Sequence, residues 1–255
     1  MPESGSGDSK IILFSGAKGG SGCSFISNSI AAYFAKSKKE NVLLLDLNIG
    51  KKDSRIIFDI IDENNRDIGD IENVINDIDL SILKKLVVNF ESSLNLILPP
   101  LRIEKKRLLN GKNLGLLFDS LKENFDIICV DFPYYLFFEN DFDFGEYVDK
   151  LIFVSLPDLI SINNLDLLLK NLCLDYIVHK IEIIINKFNN RPAIPPARLT
   201  NTLKFPVKSF IPYDTDVEFL YLNKGPVSIF NYNLRIVKAI TDFSEILYES
   251  LNLKP

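Results

Sequence analysis

Ser15-Gly16-Ala17-Lys18-Gly19-Gly20-Ser21-Gly22-Cys23-Ser24 lies between the apolar run Lys10 to Phe14 and a helical pattern that begins near Phe25. Strand, glycine loop and helix in that order make a phosphate cradle. Four glycines among positions 16 to 22 let successive backbone N–H groups converge on one point, and the helix that follows adds its positive dipole end. The pattern G-x-x-x-x-G-K-[ST] has a lysine where this chain carries Cys23, so the usual cation on the outer phosphates is missing. Ser24 keeps a hydroxyl at the position that meets magnesium in that pattern.

Outward from the loop, strand and helix patterns alternate. Ile26, Ile30, Ala31 and Phe34 recur at helical spacing, and Val42 to Asp46 is an unbroken apolar run ending in a carboxylate. Such a run reads as a parallel strand buried on both faces, with its C-terminal end toward the ligand. Further strands are predicted over Leu94–Leu98, stopped by Pro99 and Pro100, and over Asp126–Asp131, Leu151–Leu156, Ile181–Asn186 and Val207–Ile211. Helices are predicted over Ile68–Ile75, Leu80–Val88, Glu104–Glu123, Ile162–Leu172 and Leu234–Leu251, with a loop around Pro192, Pro195 and Pro196. The alternation predicts an α/β fold: a mostly parallel twisted sheet of about seven or eight strands, flanked by helices and joined by right-handed crossovers. A polar tail over residues 1–9 and one domain from 10 to 255 are expected. Asp131 ends its strand where a carboxylate holds Mg²⁺ through water beside a phosphate loop, and Asp46 resembles it in position.

Composition narrows the function classes. A net charge of −5 gives no general attraction for nucleic acid, and the clusters Lys36–Lys39, Lys51-Lys52 and Lys105–Arg107 read as solvated faces. Cys23, Cys129 and Cys173 form no CxxC pair, and His179 is the only histidine, so neither a disulfide framework nor a zinc site is built. The N-terminus lacks an apolar signal core and no uncharged run reaches membrane-spanning length, which reads as cytoplasmic, without direct membrane insertion. The last helix has a polar face of mixed charge, favouring core or dimer packing over a membrane interface. Cys23 at a helix N-terminus is a conceivable thiolate, but no histidine accompanies it and an anion there would repel phosphate. The segment Tyr134–Tyr147 interleaves seven aromatics with acids, a pattern that suits either core packing or a partner surface.

Lys18 to Ser24 resembles the deviant P-loop KGGxGK[ST] of the MinD/ParA family, with Lys18 as its upstream lysine. Val42 to Gly50 resembles the family's VLLxDxDxxxG strand, Asp126 to Pro133 its DxxxxDxP segment, Asn186-Lys187 its NR or NK element, and Ile211 to Asp214 its IPxD turn. Phe14 to Gly20, the Leu98-Pro99-Pro100 stop and Val217 to Pro226 look most like the CpaE/TadZ branch, localisation factors of pili. The resemblance implies a P-loop NTPase of the SIMIBI type and a sandwich homodimer in which Lys18 reaches the partner's phosphates. It implies ATP or ADP held by Gly19, Gly20, Ser21, Gly22, Cys23 and Ser24, adenine surrounded by Asn186, Pro212 and Asp214, and Mg²⁺ held by Ser24, Asp46 and Asp131. It further implies a factor that localises or assembles a pilus or secretion machine, recruited to a pole or membrane-bound apparatus through protein partners. Two residues depart from the family. Cys23 forfeits a charge-assisted contact, about ten- to a hundredfold in affinity. Asn48 replaces the second aspartate, and an amide cannot take a proton, so hydrolysis slows by roughly 10²–10⁴. Weak or absent hydrolysis is expected. A working ATPase switch, including a flagellar-number regulator, and a nucleotide-free dimeric scaffold are the alternatives.

Overall fold

Among the described residues eight strands form one sheet: β1 (Lys10–Ser15), β2 (Val42–Asp46), β3 (Val88–Asn89), β4 (Leu94–Ile97), β5 (Ile127–Asp131), β6 (Lys150–Ser155), β7 (Ile181–Phe188) and β8 (Val207–Pro212). The α-helices among the described residues are α1 (Cys23–Tyr33), α2 (Asp53–Ile57), α3 (Leu80–Leu86), α4 (Gly111–Lys122), α5 (Leu136–Glu139), α6 (Phe144–Tyr147), α7 (Leu159–Asn171), α8 (Pro196–Leu203), α9 (Thr215–Ser228) and α10 (Arg235–Ser250). The structure, a computed structural model, describes residues 9–60, 66–91, 93–139, 141–172, 176–189, 194–203 and 205–251.

The strand order is β3-β4-β2-β5-β1-β6-β7-β8, parallel throughout except for the antiparallel β3 at one edge. β1 therefore sits mid-sheet between β5 and β6. The chain winds to one side of it and then to the other, so the C-terminal end of β1 is the topological switch point where ligands of open α/β sheets bind. The period-2 alternation of side chains splits each strand between two cores. From β1, Ile11 and Leu13 join a layer containing Leu117, Phe118, Leu165 and Leu199, while Ile12 and Phe14 join one containing Ile26, Ile30, Ile240 and Phe243. With helices over both faces, the strands can be continuously apolar, as β2 and β5 are.

The fold expected from the sequence is the one observed, with local corrections. The helix expected over Ile68–Ile75 is two 3₁₀ turns, Ile68–Ile71 and Ile75–Asp77. The one over Leu80–Val88 stops at Leu86, and Val88 opens β3. The long helix over Glu104–Glu123 is a 3₁₀ segment, Ile103–Leu108, followed by α4. The break falls at Asn110, whose side chain accepts from the Asn113 N–H at 3.0 Å and caps the new helix. Pro196, expected in a loop, opens α8, a position where its missing N–H costs nothing. α7 begins at Leu159 because Asp158 caps it, donated to by the Ser161 N–H at 2.9 Å. Cys173, Pro192 and all of the expected tail but Ser9 lie outside the described residues.

Of the two readings of Tyr134–Tyr147, packing takes the larger share. Phe137, Phe142 and Phe144 are buried, with the Phe137 ring tilted 4.9 Å from Phe132 and the Phe142 ring edge-on 5.4 Å from Phe118. Tyr134 and Phe138 are exposed. α10 buries Ile236, Val237, Ile240, Phe243 and Leu247 against the sheet, as a core helix does. Among the described residues no helix is long and apolar enough to cross a membrane.

Candidate functional site

Between β1 and α1 the loop is locked by packing. Gly20 and Gly22 take φ of 80° and 85°, the left-handed region that side chains other than glycine adopt at a cost. A Cβ on Gly22 would lie 2.2 Å from Asn186 Nδ2, and that amide donates at 2.9 Å to the Ser21 carbonyl. β7 thus clamps the loop from the far side of β1, through a residue that is itself 2% exposed. α1 carries no side-chain cap and no acid in its first turn. Its positive end is left for an external anion.

Beside the loop stand two carboxylates. The register pairs Asp46 with Asp131 at the ends of β2 and β5, and each is 3% exposed. Asp46 spends both oxygens internally: Oδ1 accepts the Asn48 N–H and side-chain amide, each at 2.9 Å, and Oδ2 accepts the Ser54 hydroxyl. One carboxylate therefore fastens both ends of the 48–54 segment. Asp131 Oδ2 has no hydrogen-bond partner. Burial, and then the Asp46 charge, pushes the Asp131 carboxyl well above the usual carboxylate range, against the pull of its polar neighbours Ser24, Asn48 and Cys23. Burial also raises Asp46. At Cys23 burial and both carboxylates push the thiol up, while Lys51 acts the other way. The thiol is neutral at physiological pH, and the thiolate nucleophile weighed from sequence does not arise.

These groups surround two adjoining clefts that share Gly22. The first, of about 340 Å³, is lined by Lys18, Gly19, Gly20, Ser21, Gly22, Cys23, Ser24 and Asp131 among the residues expected from sequence. The second, of about 310 Å³, brings Asn186, Pro212 and Asp214 together with Lys187 and the apolar Phe25, Ile57, Val217 and Tyr221. Asp46 does not line either cleft; it stands behind Asn48. Lys18 leans on Asp158 at 3.7 Å, within its own chain. Sequence reasoning missed Lys51 and Asp53 in the first cleft and Phe25 and Tyr221 in the second. Gly50, at φ 72°, turns the chain after β2 just before Lys51, a geometry the sequence does not spell out. Phe25 and Tyr221, with ring centroids 4.9 Å apart, meet only once the fold joins α1 to α9.

The first cleft suits a hydrated magnesium ion better than a metal held by protein alone. No cluster of three or more His, Cys, Asp or Glu able to hold a metal occurs among the described residues. What is present is an unpartnered, buried carboxylate oxygen on Asp131 near the Ser24 hydroxyl, an all-oxygen donor set of the kind that Mg²⁺ shares with waters and phosphates.

Residues 12–227 match the CobQ/CobB/MinD/ParA nucleotide binding domain family. The chain is 27% identical over 248 residues to the septum site-determining protein MinD of Buchnera aphidicola subsp. Baizongia pistaciae, covering 91% of this chain and 88% of that one. It superposes on a ParA family ATPase from Chlorobium tepidum TLS with a TM-score of 0.77 at 25% identity, covering 92% of this chain and 98% of the other. A second structure, MinD of Pyrococcus horikoshii OT3 complexed with Mg-ADP, matches in fold with a TM-score of 0.70 at 18% identity, over 94% and 96% of the two chains.

Proposed function

Because this chain belongs to the CobQ/CobB/MinD/ParA nucleotide binding domain family, we propose that its paired clefts hold ATP or ADP with Mg²⁺ and turn ATP over slowly if at all. The observation that carries the reading is Asp131 Oδ2, a buried carboxylate oxygen with no partner beside a glycine loop whose backbone shape is intact. Left alone, such an oxygen is costly; a magnesium ion, with Ser24 as its other protein contact, removes the cost. When bound, Mg²⁺ supplies charge neutralisation for the phosphates. The N–H groups of Gly19 to Ser24 hold and orient those phosphates, and the second cleft takes the base between Asn186 and the Pro212–Asp214 turn.

Slow turnover follows from two side chains. Asn48 spends its amide on Asp46 Oδ1 and has no lone pair basic enough to accept a proton from water. Cys23 is neutral where a lysine would hold transition-state charge. The family resemblance supports a homodimer to which Lys18 is donated across the interface, and a positioning role is supported by the relative that is a septum site-determining protein. The sequence likeness to pilus-localisation factors narrows that role to a cytoplasmic factor that places or assembles a pilus or secretion machine through protein partners.

Calorimetry with ATP and ADP, with and without Mg²⁺, beside a phosphate-release assay, tests the reading. Micromolar binding that needs Mg²⁺ and turnover near background are expected. No heat with either nucleotide would reduce the protein to a scaffold, and rapid Mg²⁺-dependent hydrolysis lost in Lys18→Ala would make it a working switch.

A further inference from the structure

We propose that Lys51, carried into the phosphate cleft by the segment that Asp46 fastens at both ends, supplies to the nucleotide's phosphates the cation that Cys23 cannot. This rests on the nucleotide reading above and assigns one more of its binding residues.

Lys51 lines the cleft together with Gly19–Ser24, and it and Lys18 are the lysines on that wall. Lys18 is engaged with Asp158. Lys51 makes no salt bridge or hydrogen bond among the described residues, although the carboxylates Asp53 and Asp131 line the same cleft. An unpaired ammonium facing a loop built for anions is the complement that the loop lacks.

The backbone around Lys51 is set rather than loose. Gly50 holds a left-handed φ of 72° and its N–H donates to the Pro100 carbonyl at 2.8 Å. On one side Asn48 is bonded to Asp46 Oδ1, and on the other Ser54, in the first turn of α2, is bonded to Oδ2. The lysine stem, free at its tip, extends from a chain fixed within three residues on either side. A point charge with rotatable donors suits phosphate oxygens, which need no planar fork.

Titration of the full chain with ATP and with adenosine, for wild type, Lys51→Met, Lys51→Arg, Cys23→Lys and the double variant Lys51→Met/Cys23→Lys, decides the matter. Lys51→Met should weaken ATP about tenfold and leave adenosine unchanged, and Lys51→Arg should keep most of the ATP affinity. In the double variant the lysine at position 23 should restore what Lys51→Met removed. ATP affinity indifferent to Lys51→Met, or equal loss of ATP and adenosine, would overturn the assignment to phosphate while leaving the nucleotide reading intact. A wild-type chain that binds adenosine and ATP equally would overturn it too. A wild-type chain that binds neither would instead sink the nucleotide reading itself.

Discussion

Asp131 is the residue whose surroundings disagree most with its chemistry. Its carboxyl is raised by burial and by Asp46, so the folded chain holds that proton to a higher pH than the unfolded chain does. Between the unfolded and folded pKa values the native state binds more protons. Stability therefore falls as pH rises through that window, and the cost is complete above the folded value. Asp131→Asn removes the cost. In urea melts without nucleotide, the variant should be more stable than wild type at about pH 8, with the difference closing as pH falls toward about 4, while its Mg²⁺-dependent ATP binding is lost. A difference that stays constant with pH would show that Asp131 is not the titrating group. Asp46 stays in both chains but loses a like charge beside it in the variant, which acts in the same direction. At this scale the sequence told much: Lys18, Ser24, Asn186, Pro212 and Asp214 all meet at the two clefts. What stayed hidden depends on tertiary partners. Nothing in the string distinguishes Lys51 from its neighbour Lys52, because only the Gly50 turn and the two bonds to Asp46 decide which lysine enters the cleft.

Among the elements, the loop into α1 is held by a close approach at Gly22. Gly22 combines a φ of 85° with a Cβ position 2.2 Å from Asn186 Nδ2, so Gly22→Ala must both strain the backbone and push the β7 amide off the Ser21 carbonyl. A loss of about 1–3 kcal/mol in stability is expected, with ATP binding abolished. Gly19→Ala is the control: it is exposed, with nothing within 4 Å of the new methyl, and it should change stability by less than about 0.5 kcal/mol. Thermal melts of both variants separate a strained loop from a merely small-residue one. Strands were legible as elements because two-sided burial leaves unbroken apolar runs, of which Val42–Asp46 is the plainest. Helices were less so. Glu104 to Glu123 keeps a helical phase of leucines, yet Asn110-Gly111 interrupts it by capping, a local hydrogen bond that periodicity does not register. β3 is two residues long, too short for any period, and exists only because β4 offers it an edge.

On the scale of the whole molecule, the sheet order places β2, β4 and β5 on one side of β1 and β6, β7 and β8 on the other. That order was not written in any segment; it follows from which strands the crossovers bring together. Its consequence lies in who furnishes the walls of the clefts. Asn48, Asp131 and Tyr135 come from the left wing, Asn186 and Pro212 from the right, and Gly22 stands at the seam. A nucleotide spanning both clefts would act as a clasp between the two wings, adding to the packed cores that already run across β1. Its effect should be global: at a hundred times its dissociation constant it should add about 2.7 kcal/mol to unfolding of the entire chain, slowing proteolysis far from the loop as much as near it. Protection confined to the loop would mean that the occupant grips one wing only.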